Sequence, residues 1–313
     1  MRYVLIDYMH LAHRCIHAEP LSVMVNVGGE LQLIDTTIPN YTIKNIYSYS
    51  GKGSFATGVF YEGGNSFRKN YFKNDIESNL EYKGSRTKKN NTFYDGINLT
   101  INLLQQAQVS QYRVQGYEAD DLIWSMVQKI KSFDRVTPID IITNDSDLLP
   151  LVDDQVSVYI RGTRQHAEYG CPERRLYYQV TPDTWLEYLS YTSAYKQFYI
   201  PFNSMLLFKL IRGDKADEIE GALKGFGGKK YSELMYKMES DGVDFPHVFR
   251  YGVDFNQVMR PILEGYFSKE VVDKMEFIYN GINLRYVDLQ IPKKIEYGYL
   301  QSAVSPLKIR IPM

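Results

Sequence analysis

The chain has 313 residues, 44% hydrophobic and 23% charged, with a formal net charge of −1. That is the composition of a globular protein with room for a large core and two subdomains, and it leaves out a disordered or strongly polycationic chain. No apolar run is long enough to span a bilayer and no signal peptide is seen, while Cys15 and Cys171 make neither a thiolate metal motif nor a disulfide framework, so an intracellular, non-membrane protein is expected.

Residues 2–6 read as a buried strand, followed by a helix near Met9–Ala18. Val23–Val27 and Glu30–Ile34, joined by Gly28-Gly29, form a hairpin pattern. Residues 38–50 suggest a short helix, and Phe55–Tyr61 a strand. Residues 65–93 are polar and basic without a clean apolar period, as in an excursion from the core. A helix over Asn98–Val109 and a strand near Gln111–Val114 come next. A helix opens near Tyr117, then come a strand at Ile139–Thr143, a short helix at Ser146–Val152 and a strand at Gln155–Ile160. This alternation predicts an α/β fold with a largely parallel sheet covered on both faces. After Thr181-Pro182 the chain turns helical, with helices at Asp183–Tyr191, Ser204–Ile211 and Lys229–Met238 and a Gly-rich turn at Gly221–Gly228. Residues 240–313 give no interpretable pattern.

Acidic residues stand at the ends of the apolar stretches. Asp7 closes the first strand; Glu118, Asp120 and Asp121 open a helix; Asp145 and Asp147 follow a strand; Asp214 and Asp217 follow an apolar helix. Each group alone could be a helix cap or a turn. Their recurrence points instead to one cleft, where carboxylates repel each other and call for hard divalent cations, Mg²⁺ or Mn²⁺. Setting aside these eight and Glu62 as a metal cluster turns the net charge of −1 into +8 for the rest of the chain, compatible with a phosphate-rich substrate. The spacing of His10, His13 and His17 suggests zinc, but no cysteine supports it. An aspartyl-phosphatase reading of Asp7 fails because Met9 stands where a second aspartate is required. The 27 tyrosines are read mainly as packing residues, with stacking on unpaired bases as the alternative.

Five blocks then recur in order: Val4–Asp7 with His13-Arg14, Ser66–Arg68, Glu81–Arg86, Gly116–Asp121 and Thr143–Leu149. Gly213–Ile219 follows, with Gly221, Gly225-Phe226-Gly227 and Lys229. Over about residues 2–235 the chain resembles the 5′ nucleases: flap endonucleases, phage 5′–3′ exonucleases and the 5′ nuclease domain of polymerase I. The resemblance implies a PIN-like nuclease core at 1–180 with a basic arch or clamp near 65–95, and a helical region at 181–313 that carries a helix–turn–helix DNA-binding module.

It also implies roles for individual residues. Asp7, Glu118, Asp120, Asp121, Asp145, Asp147, Asp214 and Asp217 fall on metal-cluster positions, and Glu62 stands where the family usually has Asp. Lys83 and Arg86 would contact the scissile phosphate. Arg14, Arg68, Lys88, Lys89, Gly225, Gly227, Lys229 and Lys230 would contact DNA. The turn near Lys224 carries an extra residue and lacks the usual Pro, which weakens the case for its DNA grip and for a K⁺ ion there. The expectation is a monomeric Mg²⁺-dependent 5′ nuclease with two ions, replaceable by Mn²⁺, acting on DNA 5′ ends, flaps or branches, and on RNA–DNA hybrid if primers are removed. The alternatives are a PIN-type ribonuclease and a non-catalytic DNA-binding module.

Overall fold

In the computed structural model, residues 2–15, 18–73, 82–83, 90–161 and 177–311 are described. The apolar run Tyr3–Ile6 and the Asp7 that closes it form β1 (Tyr3–Asp7), buried at every position in a strand that pairs in parallel with a neighbour on each side. It leads into α1 (Tyr8–Arg14), shorter than the predicted Met9–Ala18, with Asp7 as its cap. A hairpin, β2 (Ser22–Val27) and β3 (Glu30–Asp35), turns through Gly28 and Gly29, both at positive φ as a two-residue hairpin requires. Next come α2 (Thr37–Tyr49), β4 (Ala56–Phe60) and α3 (Phe67–Lys73).

The helix expected at Asn98 begins seven residues earlier, as α4 (Asn91–Gln106), because the Asn90 side chain caps it at the Phe93 N–H (3.0 Å). Then follow β5 (Ser110–Tyr112), α5 (Ala119–Phe133) and β6 (Ile139–Thr143). The short helix after β6 is a 3₁₀ turn, Ser146–Leu151. β7 (Val156–Arg161) and an unforeseen antiparallel strand, β8 (Tyr177–Val180), complete the sheet.

Among the described residues the sheet has the order β5-β4-β1-β6-β7-β8. The chain builds outward from β1 through β4 to β5, then returns to the other side of β1 for β6 and β7. That reversal opens a crevice at the carboxyl ends of β1 and β6, the usual place for a ligand in an open α/β sheet. Side chains alternate between two cores. Leu5, Phe60 and Ile141 face one, while Val4, Ile6 and Ile142 face the other.

The C-terminal part contains α6 (Trp185–Tyr191), α7 (Met205–Arg212), a small ribbon of β9 (Gly213–Asp214) and β10 (Ile219–Glu220), and α8 (Gly228–Ser240). Residues 240–311, unreadable in sequence, form α9 (Phe245–Val248), α10 (Arg260–Leu263), α11 (Lys269–Ile282) and α12 (Tyr297–Val304) with their connections. They do not pack apart from the sheet. Met275 and Ile278 of α11 join the core around Leu5, and Leu300 and Val304 of α12 join the core around Val4. Within the described residues, no helix is long and apolar enough to cross a membrane.

Gly63 links the β4 end to the cleft wall. A Cβ there would lie 1.7 Å from the Val114 carbonyl oxygen, and its own N–H already donates to the Tyr117 carbonyl (2.9 Å). The backbone has no room to yield, so Gly63→Ala is expected to cost at least about 1–3 kcal/mol and to displace Glu62. Thermal denaturation of the variant measures this, and an unchanged melting temperature would contradict the close packing.

Candidate metal centre

Four chain segments deliver acids to the crevice. Asp7 ends β1, Glu62 lies two residues beyond β4, Asp145 two beyond β6, and Asp120 is in the first turn of α5. With Asp147, Asp214 and Asp217 they line a cleft of about 590 Å³, which also takes in His10, Arg14 and Lys83. Oxygen atoms of Asp120, Asp145 and Asp147 all lie within 4.8 Å of one another.

Hydrogen bonds hold two of these acids in place. The Asp7 carboxylate accepts from the His10 N–H (3.4 Å) and from the Thr143 hydroxyl (2.9 Å). The same hydroxyl accepts from the Asp145 N–H (3.0 Å), and the Asp145 carboxylate accepts from the Asp147 N–H (2.9 Å). Thr143 therefore ties Asp7, at the end of β1, to Asp145, just beyond β6, a role its sequence position did not announce.

The electrostatics fit a cation. Burial pushes the Asp7 carboxyl up to about 6, against the pull of Thr143, and Asp145 adds to the rise. Burial and the Glu118 charge push Glu62 up to about 7. Asp120 is raised well above the ordinary carboxylate range, by burial first and then by Asp145, Asp7 and Glu62. Acids that resist ionising together, with an all-oxygen donor set, are what a hard divalent ion relieves.

Two of the nine proposed ligands do different work. Asp121 is fully buried, and its carboxylate accepts two bonds from the Arg68 guanidinium (2.8 Å each), one from the Arg285 N–H (2.9 Å) and one from the Glu118 N–H (3.0 Å). Four donors saturate it, so the expectation of a metal ligand is corrected. Arg68, expected at a DNA phosphate, is corrected with it: the side chain is buried and turned inward. Glu118 stands behind the cleft and accepts from Lys83 Nζ (2.9 Å) and the Tyr82 hydroxyl (3.0 Å). Burial would raise its carboxyl, but the charges of Lys83 and Arg68 hold it below the usual range.

Lys83 lines the cleft at φ 55°, with its ammonium 3.7 Å from Asp217 as well. Burial opposes its charge, yet Glu118 and Asp217 keep it firmly protonated. Arg14 also lines the cleft, with its guanidinium 5.5 Å from the Tyr41 ring centre. Arg86, Lys88 and Lys89 lie outside the described residues. Gly225, at φ 69°, precedes Gly227, which caps α8, and Lys229 and Lys230 are exposed on its first turn.

Sequence reasoning passed over Lys209. It is buried in α7 and ion-paired with Asp147 and with Asp214 (2.7 Å). Burial would raise Asp214, but the Lys209 ammonium brings it below the usual range. The available signal was a lysine inside the apolar run Met205–Ile211.

A sequence profile of the 5′–3′ exonuclease N-terminal, resolvase-like domain matches residues 2–178. The 5′–3′ exonuclease of Mycoplasmopsis pulmonis is 25% identical over 240 residues, covering 76% of this chain and 67% of that protein. DNA polymerase I of Lactococcus lactis subsp. cremoris is 27% identical over 146 residues, 46% of this chain but 14% of the polymerase. The fold is shared with the bacteriophage T5 D15 protein crystallised with metal ions, at a TM-score of 0.57 and 17% identity over 98% of this chain and 93% of that one. T5 D15 flap endonuclease has also been solved with DNA and metal ions, at a TM-score of 0.55 and 17% identity over 98% and 93%. The chain belongs to the 5′–3′ exonuclease family, a nuclease on a PIN-like α/β fold.

Arg68→Met tests the inward role of that arginine. It strands the Asp121 carboxylate in the core, and loss of one partner of a buried ion pair costs about 3–5 kcal/mol. Urea denaturation should show that loss, and a fully stable variant would return Arg68 to the surface. The metal-free protein should also become less stable as pH rises. Asp7 and Glu62 have folded pKa values raised above their unfolded ones, so the native state holds extra protons between about pH 4 and pH 7. That contribution is full below the ordinary carboxylate range and is lost as pH climbs through about 6 to 7. Glu118 and Asp214 act oppositely, but only below the ordinary carboxylate range. The expected outcome is a melting temperature in chelator that is lower at neutral than at mildly acid pH, with divalent ions removing the difference. Equal melting at both pH values would count against it.

Proposed function

We propose that this chain is a divalent-metal-dependent, structure-specific 5′ nuclease that hydrolyses DNA phosphodiesters at 5′ ends, flaps and branches, with Mg²⁺ as its ion and Mn²⁺ able to replace it. The observation that carries this reading is the convergence of seven carboxylates and Lys83 on one cleft at the switch point of the sheet. Asp120, Asp145 and Asp147 would hold one ion, and Asp147, Asp214 and Asp217 would offer oxygens to a second. When bound, such ions supply Lewis acidity and charge neutralisation at a scissile phosphate.

The chain's own residues do the positioning. Thr143 fixes Asp7 and Asp145 relative to one another, and the Tyr82 hydroxyl bridges Glu118 and Asp217 (3.0 and 3.1 Å). The Lys83 ammonium, held between Glu118 and Asp217, would neutralise charge that develops on a phosphate in the cleft. Away from the chemistry, the N-terminus of α8 presents backbone N–H groups with Lys229 and Lys230, a combination suited to a duplex phosphate.

Incubation with end-labelled 5′-flap DNA, RNA–DNA hybrid and single strands, with Mg²⁺ or with chelator, tests the proposal. Flap cleavage that needs the ion, and that Asp145→Asn abolishes while DNA binding persists, is expected. No cleavage of any DNA in Mg²⁺ or Mn²⁺ would overturn it. Lys83→Ala should lower the single-turnover rate at saturating enzyme by about 10²–10³-fold. Lys229→Ala should leave that rate and instead weaken binding, reducing its salt slope by about one. An unchanged rate for Lys83→Ala would remove Lys83 from the chemistry.

A further inference from the structure

Helix α7 is buried at every position from Met205 to Ile211, and Lys209 is the charged side chain in that stretch. A lysine this deep costs a large desolvation energy unless anions surround it. Lys209 has two, drawn from different elements: Asp147 on the 3₁₀ turn after β6, and Asp214 on β9, 2.7 Å away. A structural ion pair needs one partner. A cation spanning two cleft acids has the charge arrangement of a bound ion.

Asp147 is the point of conflict. Its carboxylate also belongs to the triad with Asp120 and Asp145, so the ammonium and an ion in that triad draw on the same group. Lys83 and Arg68 pair with Glu118, Asp121 and Asp217, which lie outside the triad. We propose that Lys209 is an internal counter-ion of the metal cluster: its ammonium holds Asp147 and Asp214 together when no divalent ion is present, and it competes with divalent ions for Asp147 when they bind. The inference rests on the metal-cleft reading given above and adds a consequence of its own. A divalent ion sharing Asp147 sits close to a fixed positive charge, and like charges at that range repel strongly where water is scarce. Lys209 therefore makes the cleft stable when empty and lowers its affinity for metal, most at the site that must take Asp147 and Asp214.

The test is a Mn²⁺ titration of the full chain without DNA, by calorimetry and by the loss of the free-ion paramagnetic resonance signal. The wild type, Lys209→Met and Lys209→Arg are compared. Lys209→Met is expected to bind Mn²⁺ at the weaker site roughly tenfold more tightly, while Lys209→Arg, which keeps the charge, stays near the wild type. In parallel, Lys209→Met should melt at a lower temperature than the wild type in chelator, with Mn²⁺ raising its melting temperature by more. If Lys209→Met fails to fold in chelator, it is purified in Mn²⁺ and its affinity read by competition with a calibrated chelator. Unchanged or weaker Mn²⁺ binding by Lys209→Met, beside normal binding by the wild type, overturns the role of Lys209 alone. A wild type that binds no Mn²⁺ overturns the metal-cleft reading and this inference together.

Discussion

Bringing Asp7, Glu62, Asp120 and Asp145 to one buried crevice sets like charges against each other where water screens them poorly. Hydrogen bonding offsets part of this cost. Thr143 and the N–H groups of His10 and Asp147 donate to Asp7 and Asp145. The remainder pushes the carboxyls of Asp7, Glu62 and Asp120 above the ordinary carboxylate range. Protons relieve this repulsion, and a divalent cation is the other species that would.

Two buried cations, Arg68 and Lys209, and the half-buried Lys83 manage the acids around that centre, each differently. Arg68 neutralises Asp121 through a paired, planar contact and fixes the start of α5 to the core. Lys83 balances Glu118 and Asp217 at the cleft wall. Lys209 bridges Asp147 and Asp214 from beneath. Neighbouring acids therefore divide into those committed to the scaffold and those left facing the cleft.

The C-terminal segment contributes to this division although it supplies no acid to the cleft. The Arg285 N–H donates to Asp121 and the Val287 N–H to Ser125, both on α5. The Tyr251 hydroxyl donates to the Asp147 carbonyl (3.0 Å). Residues far beyond the profile match at 2–178 thus set the helix and the turn that carry the cleft acids Asp120 and Asp147.

Much of this was legible in the sequence. The runs at 3–7 and 139–143 gave their strands almost to the residue, because strands buried on both faces are mainly apolar; the exception inside the second, Asp140, is buried against Arg2. Acids at the ends of those runs marked the cleft, since the carboxyl edge of such a sheet is where polar side chains gather. The start of α4 was missed because a cap such as Asn90 is a single residue amid polar ones. Residues 240–311 were opaque because their burial comes from two distant cores rather than from a local period.

Sequence alone determined the fold class and the set of acids from which the cleft draws its lining. Tertiary structure decided which acids face the cleft. Asp120 and Asp121 are adjacent in sequence, but consecutive helical residues point about 100° apart, so one enters the cleft and the other meets Arg68. The same holds for Lys209: its presence in an apolar helix could be read, but its partners are brought to it only when β6, α7 and β9 pack together.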